Sequence, residues 1–118
     1  IVFDESVSAF GGNVSIHPMS EQPELLPKCN KMIITGSSTI NGSIDGLLAM
    51  CPNATEIAMV GSSTPMFPKG WEATKVTSLS GSWWKNEHKE EIFKAISCGS
   101  GIMELHPYML KKALYIEK

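Results

Sequence analysis

The pattern of apolar and polar residues predicts two strands with a helix between them. Apolar runs over residues 31–35 and 56–60 are typical of strands buried on both faces by crossover helices. Asn41 or Ser43 would cap the intervening helix. Apolar residues recur at helical spacing and would form one face of that helix. They are Ile40, Ile44, Leu47, Leu48 and Cys51. This segment therefore predicts a βαβ unit with parallel strands.

Further strands and turns are predicted on both sides of this unit. Residues 1–3 predict a strand, and residues 14–16 predict either a short edge strand or an extended loop. Residues 75–79 alternate as a third inner strand that ends at residues 80–82. Thr64-Pro65 would cap and open a short helical turn.

The carboxyl-terminal third predicts a helix, a short strand and a last helix. Asn86 would cap the first helix and Gly99 would end it. Its inward face would consist of Ile92, Phe93 and Ile96. Residues 102–105 predict a strand, after which Pro107 would open a helix with Leu110 and Leu114 on one face. We therefore predict an α/β fold formed by residues 1–118 as a single domain, a three-layer Rossmann-like domain with a mainly parallel sheet and helices on both faces.

Small hydroxyl residues follow the predicted strands. The tetrapeptide Gly-Ser-Ser-Thr occupies residues 36–39 and again residues 61–64, each time after an apolar run. The carboxyl ends of parallel strands share one edge, where open α/β folds bind ligands at a reversal of strand order. Glycine permits close approach to the backbone, and N–H groups at helix starts favour anions. Neither copy matches a phosphate or dinucleotide loop, and helix capping and tight turns are the alternative role for these residues.

Composition and charge exclude several classes of protein. Hydrophobic residues make up 42% and charged residues 19%, which is typical of a soluble globular domain. No apolar run approaches the roughly 20 residues of a membrane span, and the first five residues are acidic rather than basic. All ten basic residues are lysines, which argues against nucleic acid as a partner. Three cysteines without CxxC spacing predict reduced, structural thiols and a cytoplasmic location.

Four residues outside these loops are candidates for acid, base or ligand chemistry. Asp4 and Glu5 follow the first predicted strand, and acidic residues at such a position bind ribose in dinucleotide folds. A solvated loop is the alternative for both. Glu104 and His106 are two residues apart and would offer oxygen and nitrogen to a divalent metal, although a turn before Pro107 equally explains the histidine.

Several segments together resemble a known family. They are residues 24–27, 32–42 and 60–66, continuing through residues 79–82 and 98–101. The combination is similar to the Rossmann-like carboxyl-terminal domain of the putative heavy-metal chelation family, whose function is unknown. The resemblance covers most of residues 24–101.

The resemblance implies a site in a cleft between this sheet edge and an amino-terminal enolase-like domain. That domain and an upstream strand are expected to be missing from these residues, so the domain or another subunit is the implied partner. Asp4 or Glu5 matches the acidic end of the family's preceding strand. The motif-matched residues that would line the cleft are Thr35, Gly36, Ser37, Ser38, Thr39, Asn41, Gly61, Ser62, Ser63, Thr64, Pro65, Ser80, Gly81 and Ser82.

The family name raises a divalent or heavy metal as cofactor, but hydroxyl and backbone groups suit soft metals poorly. A small organic anion, a nucleotide-like ligand or a metal chelate suits these loops better. The leading hypothesis is therefore a domain that binds such a ligand at the carboxyl edge of the sheet.

Two alternatives stay open. The first is a lyase or transferase acting on a cofactor-like or nucleotide-like molecule, with Asp4, Glu5 or Glu104 as acid or base. The second is a structural subunit whose tryptophan-bearing loops dock a missing domain. Assembly into a homo-oligomer is also left open.

Overall fold

A computed structural model describes residues 15–118 and the backbone of residues 2–3. Its strands are β1 (Val2–Phe3), β2 (Ile16–His17), β3 (Lys31–Thr35), β4 (Glu56–Val60), β5 (Ser78–Trp84) and β6 (Met109–Tyr115). Its α-helices are α1 (Gln22–Leu25), α2 (Ile44–Ala49), α3 (Lys89–Ser97) and α4 (Ile102–Leu105). Single 3-10 turns lie at Met19–Glu21, Leu26–Lys28, Gly36–Thr39, Pro68–Trp71, Asn86–His88 and His106–Tyr108.

The main sheet is mixed and mostly parallel. Its strand order is β3-β4-β5-β6, with β3, β4 and β5 parallel and β6 antiparallel to β5. The short strands β1 and β2 pair in parallel as a separate sheet. The predicted α/β fold class is therefore confirmed. Because the four strands lie in sequence order, the expected reversal of strand order does not occur within the described sheet.

The predicted βαβ unit is present, with a shorter helix than expected. Strands β3 and β4 have the predicted bounds. Ile40 is 74% exposed and precedes α2, because a 3-10 turn over residues 36–39 occupies the segment before it. Neither predicted residue caps the helix with its side chain. Ser43 stands at the N-cap without a capping bond, and Asn41 Oδ1 accepts a hydrogen bond from the Ser43 backbone N–H at 3.0 Å.

The hydrophobic core covers one face of the central sheet. It comprises Ile34, Ile57, Met59, Val76, Leu79 and Ile116, and Ile44, Leu47 and Leu48 of α2 pack against it. Successive residues of a strand point to opposite faces. Ile34 is accordingly 3% exposed, whereas its neighbour Ile33 is 75% exposed. The unbroken apolar run of β3 is thus buried on only one face in the part of the chain that the structure describes.

The third inner strand is displaced along the chain from its predicted position. It covers residues 78–84 rather than 75–79, so Ser80, Gly81 and Ser82 lie inside β5 instead of after it. The antiparallel partner β6 pairs with β5 as far as Trp84 and thereby extends the strand. The helical turn predicted at Thr64-Pro65 is also wrong, since the helical turn in this loop begins at Pro68.

The last two elements have the opposite structure to that predicted. Residues 102–105 form helix α4, and residues 109–115 form strand β6. Leu110 and Leu114 are four residues apart, and that spacing places two side chains on one face of either a helix or a strand. These residues form a strand because they pair with β5, which is distant in sequence.

Helix α3 begins at Lys89, after a 3-10 turn that contains Asn86, so Asn86 does not cap it. Ile92 is buried, but Phe93 and Ile96 are 57% and 50% exposed, so the predicted inward face is wrong at these two positions. Gly99 ends the helix as predicted, with a φ of 85°. Among residues 15–118, no helix has the length and apolar content to cross a bilayer.

Candidate functional site

The two Gly-Ser-Ser-Thr segments touch each other through their backbones. A Cβ atom added at Gly36 would overlap the backbone nitrogen of Thr64 and lie 2.7 Å from the carbonyl carbon of Ser63. Real Cβ atoms do not approach backbone so closely. Glycine at position 36 is therefore what allows the loops after β3 and β4 to meet.

The segment inside β5 joins these two loops. The Gly61 N–H donates to the Ser80 carbonyl at 3.0 Å. A Cβ atom at Gly81 would lie 2.8 Å from Met66 Sδ and 3.2 Å from the Gly61 carbonyl oxygen. Gly61 has a φ of 115°, which favours glycine at this position. The structure thus brings all three predicted segments together, while their role in ligand binding stays a prediction.

Hydroxyl groups of the first segment divide into two sets. Ser38 is 2% exposed and donates to the Thr35 carbonyl at 2.8 Å, and Thr39 donates to the Gly36 carbonyl at 2.8 Å. These two hydroxyls stabilise the turn. Thr35 Oγ1 and Ser37 Oγ lie 2.9 Å apart on exposed residues, so they remain accessible to a ligand.

The second segment presents exposed serines and one buried hydroxyl. Ser62, Ser63 and Pro65 are exposed. Thr64 is 6% exposed, and its Oγ1 makes no hydrogen bond to any residue that the structure describes. A buried hydroxyl without a partner costs about 1–3 kcal/mol, so Thr64 is a polar group in need of an explanation.

A small cavity lies beside the glycine segments. Its volume is about 410 Å³, and it is lined by Gly61, Ser80, Gly81, Lys111, Lys112 and Ala113. Lys111 Nζ donates to Ser82 Oγ at 3.2 Å, and Lys112 Nζ lies 5.0 Å from the ring centroid of Trp83. The ammonium group of Lys111 therefore stands beside the segment predicted as part of the site, whereas Lys112, the next residue of β6, directs its ammonium group to the opposite face of the sheet.

Sequence reasoning missed Lys111 and Lys112 because it predicts a helix at these residues. Within β6, Lys112 pairs with Gly81 and Lys111 pairs with Ser82. Only this antiparallel register places the lysines at the site, and the register cannot be read locally. The four-residue spacing of Leu110 and Leu114 is the one local signal compatible with a strand, and it fits a helix equally well.

The predicted acid and metal candidates do not join this cluster as a group. Asp4 and Glu5 lie outside the described residues. Glu104 is exposed, and its Oε2 accepts a hydrogen bond from the Gly101 N–H at 2.9 Å, where it caps α4. His106 is exposed in the turn that follows α4. Across residues 15–118, no three His, Cys, Asp or Glu side chains come together as a metal site.

The donors of the sheet-edge site determine whether a heavy metal can bind there directly. Hydroxyls, backbone groups and lysine ammonium groups line it. Soft metals prefer thiolate, thioether and imidazole ligands, and an ammonium group offers no lone pair. The described residues at the sheet edge therefore do not fit a directly coordinated heavy metal.

The family model described as "DUF364: Putative heavy-metal chelation" matches residues 1–115. This chain belongs to that family. The resemblance inferred from the loop motifs is thereby confirmed. No protein among curated sequences matches the chain.

Two solved structures of family members have the same fold. A protein of unknown function from Pyrococcus horikoshii matches with a TM-score of 0.80 and 21% identity over 98% of this chain and 46% of that chain. A protein of unknown function from Desulfitobacterium hafniense matches with a TM-score of 0.70 and 22% identity over 89% of this chain and 41% of that chain. The chain thus spans less than half the length of these DUF364 proteins.

Replacement of Gly36 tests the backbone contact. We expect Gly36→Ala to lower the free energy of unfolding by about 1–3 kcal/mol or more, because its methyl group would overlap Thr64. Gly46→Ala is the matched control, since a Cβ at Gly46 in α2 meets no atom within 4 Å and should stabilise the helix by about 0.5–1 kcal/mol. Urea unfolding measures both changes. Equal effects of the two substitutions would contradict the contact.

Removing each hydroxyl tests whether Ser38 stabilises the fold through its hydrogen bond while the hydroxyl of Thr64, which bonds to no described residue, does not. Thr64→Val should leave stability unchanged or raise it by up to about 2 kcal/mol, because no described partner is lost. Ser38→Ala should lower it by about 0.5–1.5 kcal/mol, because the bond to the Thr35 carbonyl is lost. Urea unfolding of both variants measures the sign of each change in the free energy of unfolding. A destabilising Thr64→Val would show that the hydroxyl has a partner.

Proposed function

We propose that this DUF364 chain is a binding domain for a small organic anion rich in carboxylate groups, either free or as a metal chelate. The observation that carries the proposal is the meeting of the three glycine-containing segments beside Lys111, whose ammonium group donates to Ser82. Glycines at this edge open the backbone to a ligand, and the lysines supply positive charge.

The charges and donors of the site favour an anion. Two of the six described residues that line the cavity are lysines, and none of the six is acidic. The exposed hydroxyls of Thr35 and Ser37 lie on the adjoining segment and can donate to carboxylate oxygens. The cavity of about 410 Å³ is open to solvent, so it can admit a small anion without enclosing it.

A metal chelate is compatible with both the donor set and the family name. In a chelate, the organic ligand supplies the metal's coordinating atoms and presents carboxylate oxygens outward. The protein then recognises the anionic surface with ammonium and hydroxyl groups and needs no soft ligand of its own. Lysine suits this role because its ammonium group has three rotatable donors and imposes no planar geometry.

Calorimetric titration tests this proposal with citrate, malonate and inorganic phosphate, each alone and with nickel. We expect saturable binding of at least one carboxylate, free or nickel-bound, and weaker binding of phosphate. Lys111→Gln should lower the affinity about tenfold, or about 1.4 kcal/mol. Lys112→Gln should lower it less, because the Lys112 ammonium lies over Trp83 on the other face of the sheet. The control is Lys94→Gln, an exposed lysine of α3 that should leave the affinity unchanged.

Two outcomes of this titration contradict the proposal. One is the lack of saturable binding by every carboxylate probe. The other is equal weakening in Lys94→Gln and in the two cavity variants, which would indicate nonspecific attraction by net charge. Repeating the titration at high salt separates long-range attraction from contact within the cavity.

A second proposal concerns the open face of the sheet. The strand register aligns Ile33, Ala58, Ser78 and Tyr115 in one row across β3, β4, β5 and β6. Ile33 is 75% exposed and Tyr115 is 84% exposed, and all four residues line a groove of about 1300 Å³. Parallel sheets are normally covered on both faces. We infer that further protein, the remaining part of a longer family member, covers this row.

This docking proposal predicts that the isolated chain exposes an apolar surface at the row formed by Ile33, Ala58, Ser78 and Tyr115. The chain should bind the dye ANS and self-associate reversibly, as exposed apolar patches do. Ile33→Lys should reduce both signals. Ile40→Lys is the matched control, because Ile40 is 74% exposed but is not among the described residues that line the groove, and it should change neither signal. A wild-type chain that is monomeric and does not bind ANS would contradict docking at this face.

A further inference from the structure

One side of strand β6 has no partner strand. The strand has seven residues and lies at one edge of the main sheet, so it pairs only with β5. Residues 110–113 are exposed, and no backbone group among the described residues bonds to the outer side of β6. A row of unpaired N–H and C=O groups is a template for pairing with a strand of another chain.

Backbone hydrogen bonds show which residues of β6 face this outer side. The Ile116 N–H donates to the Thr77 carbonyl at 3.0 Å, and the Lys85 N–H donates to the Tyr108 carbonyl at 2.9 Å. Backbone groups alternate between the two sides of a strand, so the even-numbered residues of this segment bond to β5. The odd-numbered residues, which direct their N–H and C=O groups outward, are Met109, Lys111, Ala113 and Tyr115.

We propose that a second copy of this chain occupies the edge, paired antiparallel through β6 so that two four-stranded sheets become one. Identical edges that pair antiparallel are related by a twofold axis, which closes the assembly at two copies. The outward residues of each copy then exchange backbone hydrogen bonds with those of the other. This dimer depends on neither the proposed anion site nor the proposed cover of the open sheet face.

The charges of the strand select one register for the dimer. A twofold axis at Lys111 or at Lys112 places two ammonium groups directly opposite each other, which is destabilising. An axis at Leu114 instead places Lys111 opposite the partner subunit's Glu117. The ladder with β5 already continues to Ile116, so only one more extended residue is needed to reach this position. This register is the one that sets an outward lysine of β6 directly opposite a carboxylate.

Side chains on both faces of the sheet fit the same register. Leu114 pairs with Leu79, which is fully buried, so Leu114 points to the core face and meets the partner subunit's Leu114 there. Tyr115 is 84% exposed on the opposite face, where it lies opposite the partner subunit's Ala113. The small alanine leaves room for the tyrosine ring. Apolar contact thus accompanies the ion pair.

Edge lysines have a contrary explanation, because charges on a sheet edge also prevent pairing between chains. The two roles predict opposite effects. If Lys111 protects the edge, its replacement strengthens association, whereas loss of the pair with the partner subunit's Glu117 weakens it. Lys111 also lines the cavity of about 410 Å³, so a bound carboxylate and the dimer compete for one ammonium group. The dimer is therefore tested without carboxylates.

Sedimentation velocity over a concentration series measures the dissociation constant of the dimer. All variants are made in the Ile33→Lys chain, so that association through the open sheet face does not contribute. We expect a reversible equilibrium of monomer and dimer. Lys111→Glu should raise the dissociation constant at least about tenfold, because two carboxylates then face each other. Lys111→Glu with Glu117→Lys restores the opposite charges and should return the constant to within about threefold of the parent chain. Lys94→Glu makes the same change in net charge on exposed α3 and should have no effect.

A proline tests the backbone pairing itself. Ala113→Pro removes an outward N–H and should abolish the dimer. Proline is tolerated on an edge strand where the missing N–H faces away from the neighbouring strand, so circular dichroism and urea unfolding should show an intact fold. Ala113→Ser keeps the N–H and should dimerise as the parent chain does.

Disulfide crosslinking with oxidised glutathione determines the register. Cys98→Ser first removes an exposed native thiol. In that background Leu114→Cys should form a crosslinked dimer, because residues opposite each other at such an axis have Cα atoms about 4.5 Å apart. Lys112→Cys should not, since its two copies are offset by four positions, or roughly 13 Å along the strands.

Four outcomes overturn the proposal. They are a chain that stays monomeric throughout the series, a Lys111→Glu variant that associates as strongly as the parent chain or more strongly, faster crosslinking of Lys112→Cys than of Leu114→Cys, and species larger than a dimer. The last outcome contradicts a twofold interface, which is closed at two copies.

Discussion

The close approach of Gly36 to the backbone of Thr64 is the constraint on which the rest of the sheet edge depends. Thr35 and Val60 are paired in the register of β3 and β4, so the two chains leave the sheet side by side. A side chain at position 36 would separate them. With the loops in contact, Gly61 can also hydrogen-bond to Ser80, and the third segment is fixed to the other two. Local backbone contacts thus determine the shape of the edge before any side chain contributes.

This constraint explains how one motif stabilises its own turn and still leaves hydroxyl groups exposed. A 3-10 turn begins at Gly36, and its buried side needs partners for free backbone carbonyls. Ser38 and Thr39 donate to the carbonyls of Thr35 and Gly36 and so stabilise that side. The hydroxyls left on the exposed side belong to Thr35 and Ser37. Turn stabilisation and the proposed ligand contact, which are competing interpretations of the sequence, therefore involve different residues of one segment.

Sequence patterns predicted the parts of the fold that depend on local information. Strands β3 and β4 were predicted with correct bounds because turn residues flank their apolar runs. Strand β6 was not, since a four-residue leucine spacing fits either period and only pairing with β5 decides between them. The same pairing brings Lys111 and Lys112 to the candidate site. Convergence of the glycine segments was predictable from topology, whereas the positive charge beside them required tertiary information.

The two ends of β3 offer opposite chemistry, and their separation has a physical consequence. Hydroxyl groups stand at the carboxyl end, with the lysines of β6 at the same sheet edge, whereas sulfur atoms stand at the amino end. Five strand residues span roughly 16 Å, which exceeds the screening length of about 8–10 Å at physiological salt. A charge bound at one end therefore has little electrostatic effect on the other. The ammonium group of Lys75, which donates to the Cys51 and Pro52 carbonyls at the sulfur end, therefore adds little to the attraction of an anion at the sheet edge.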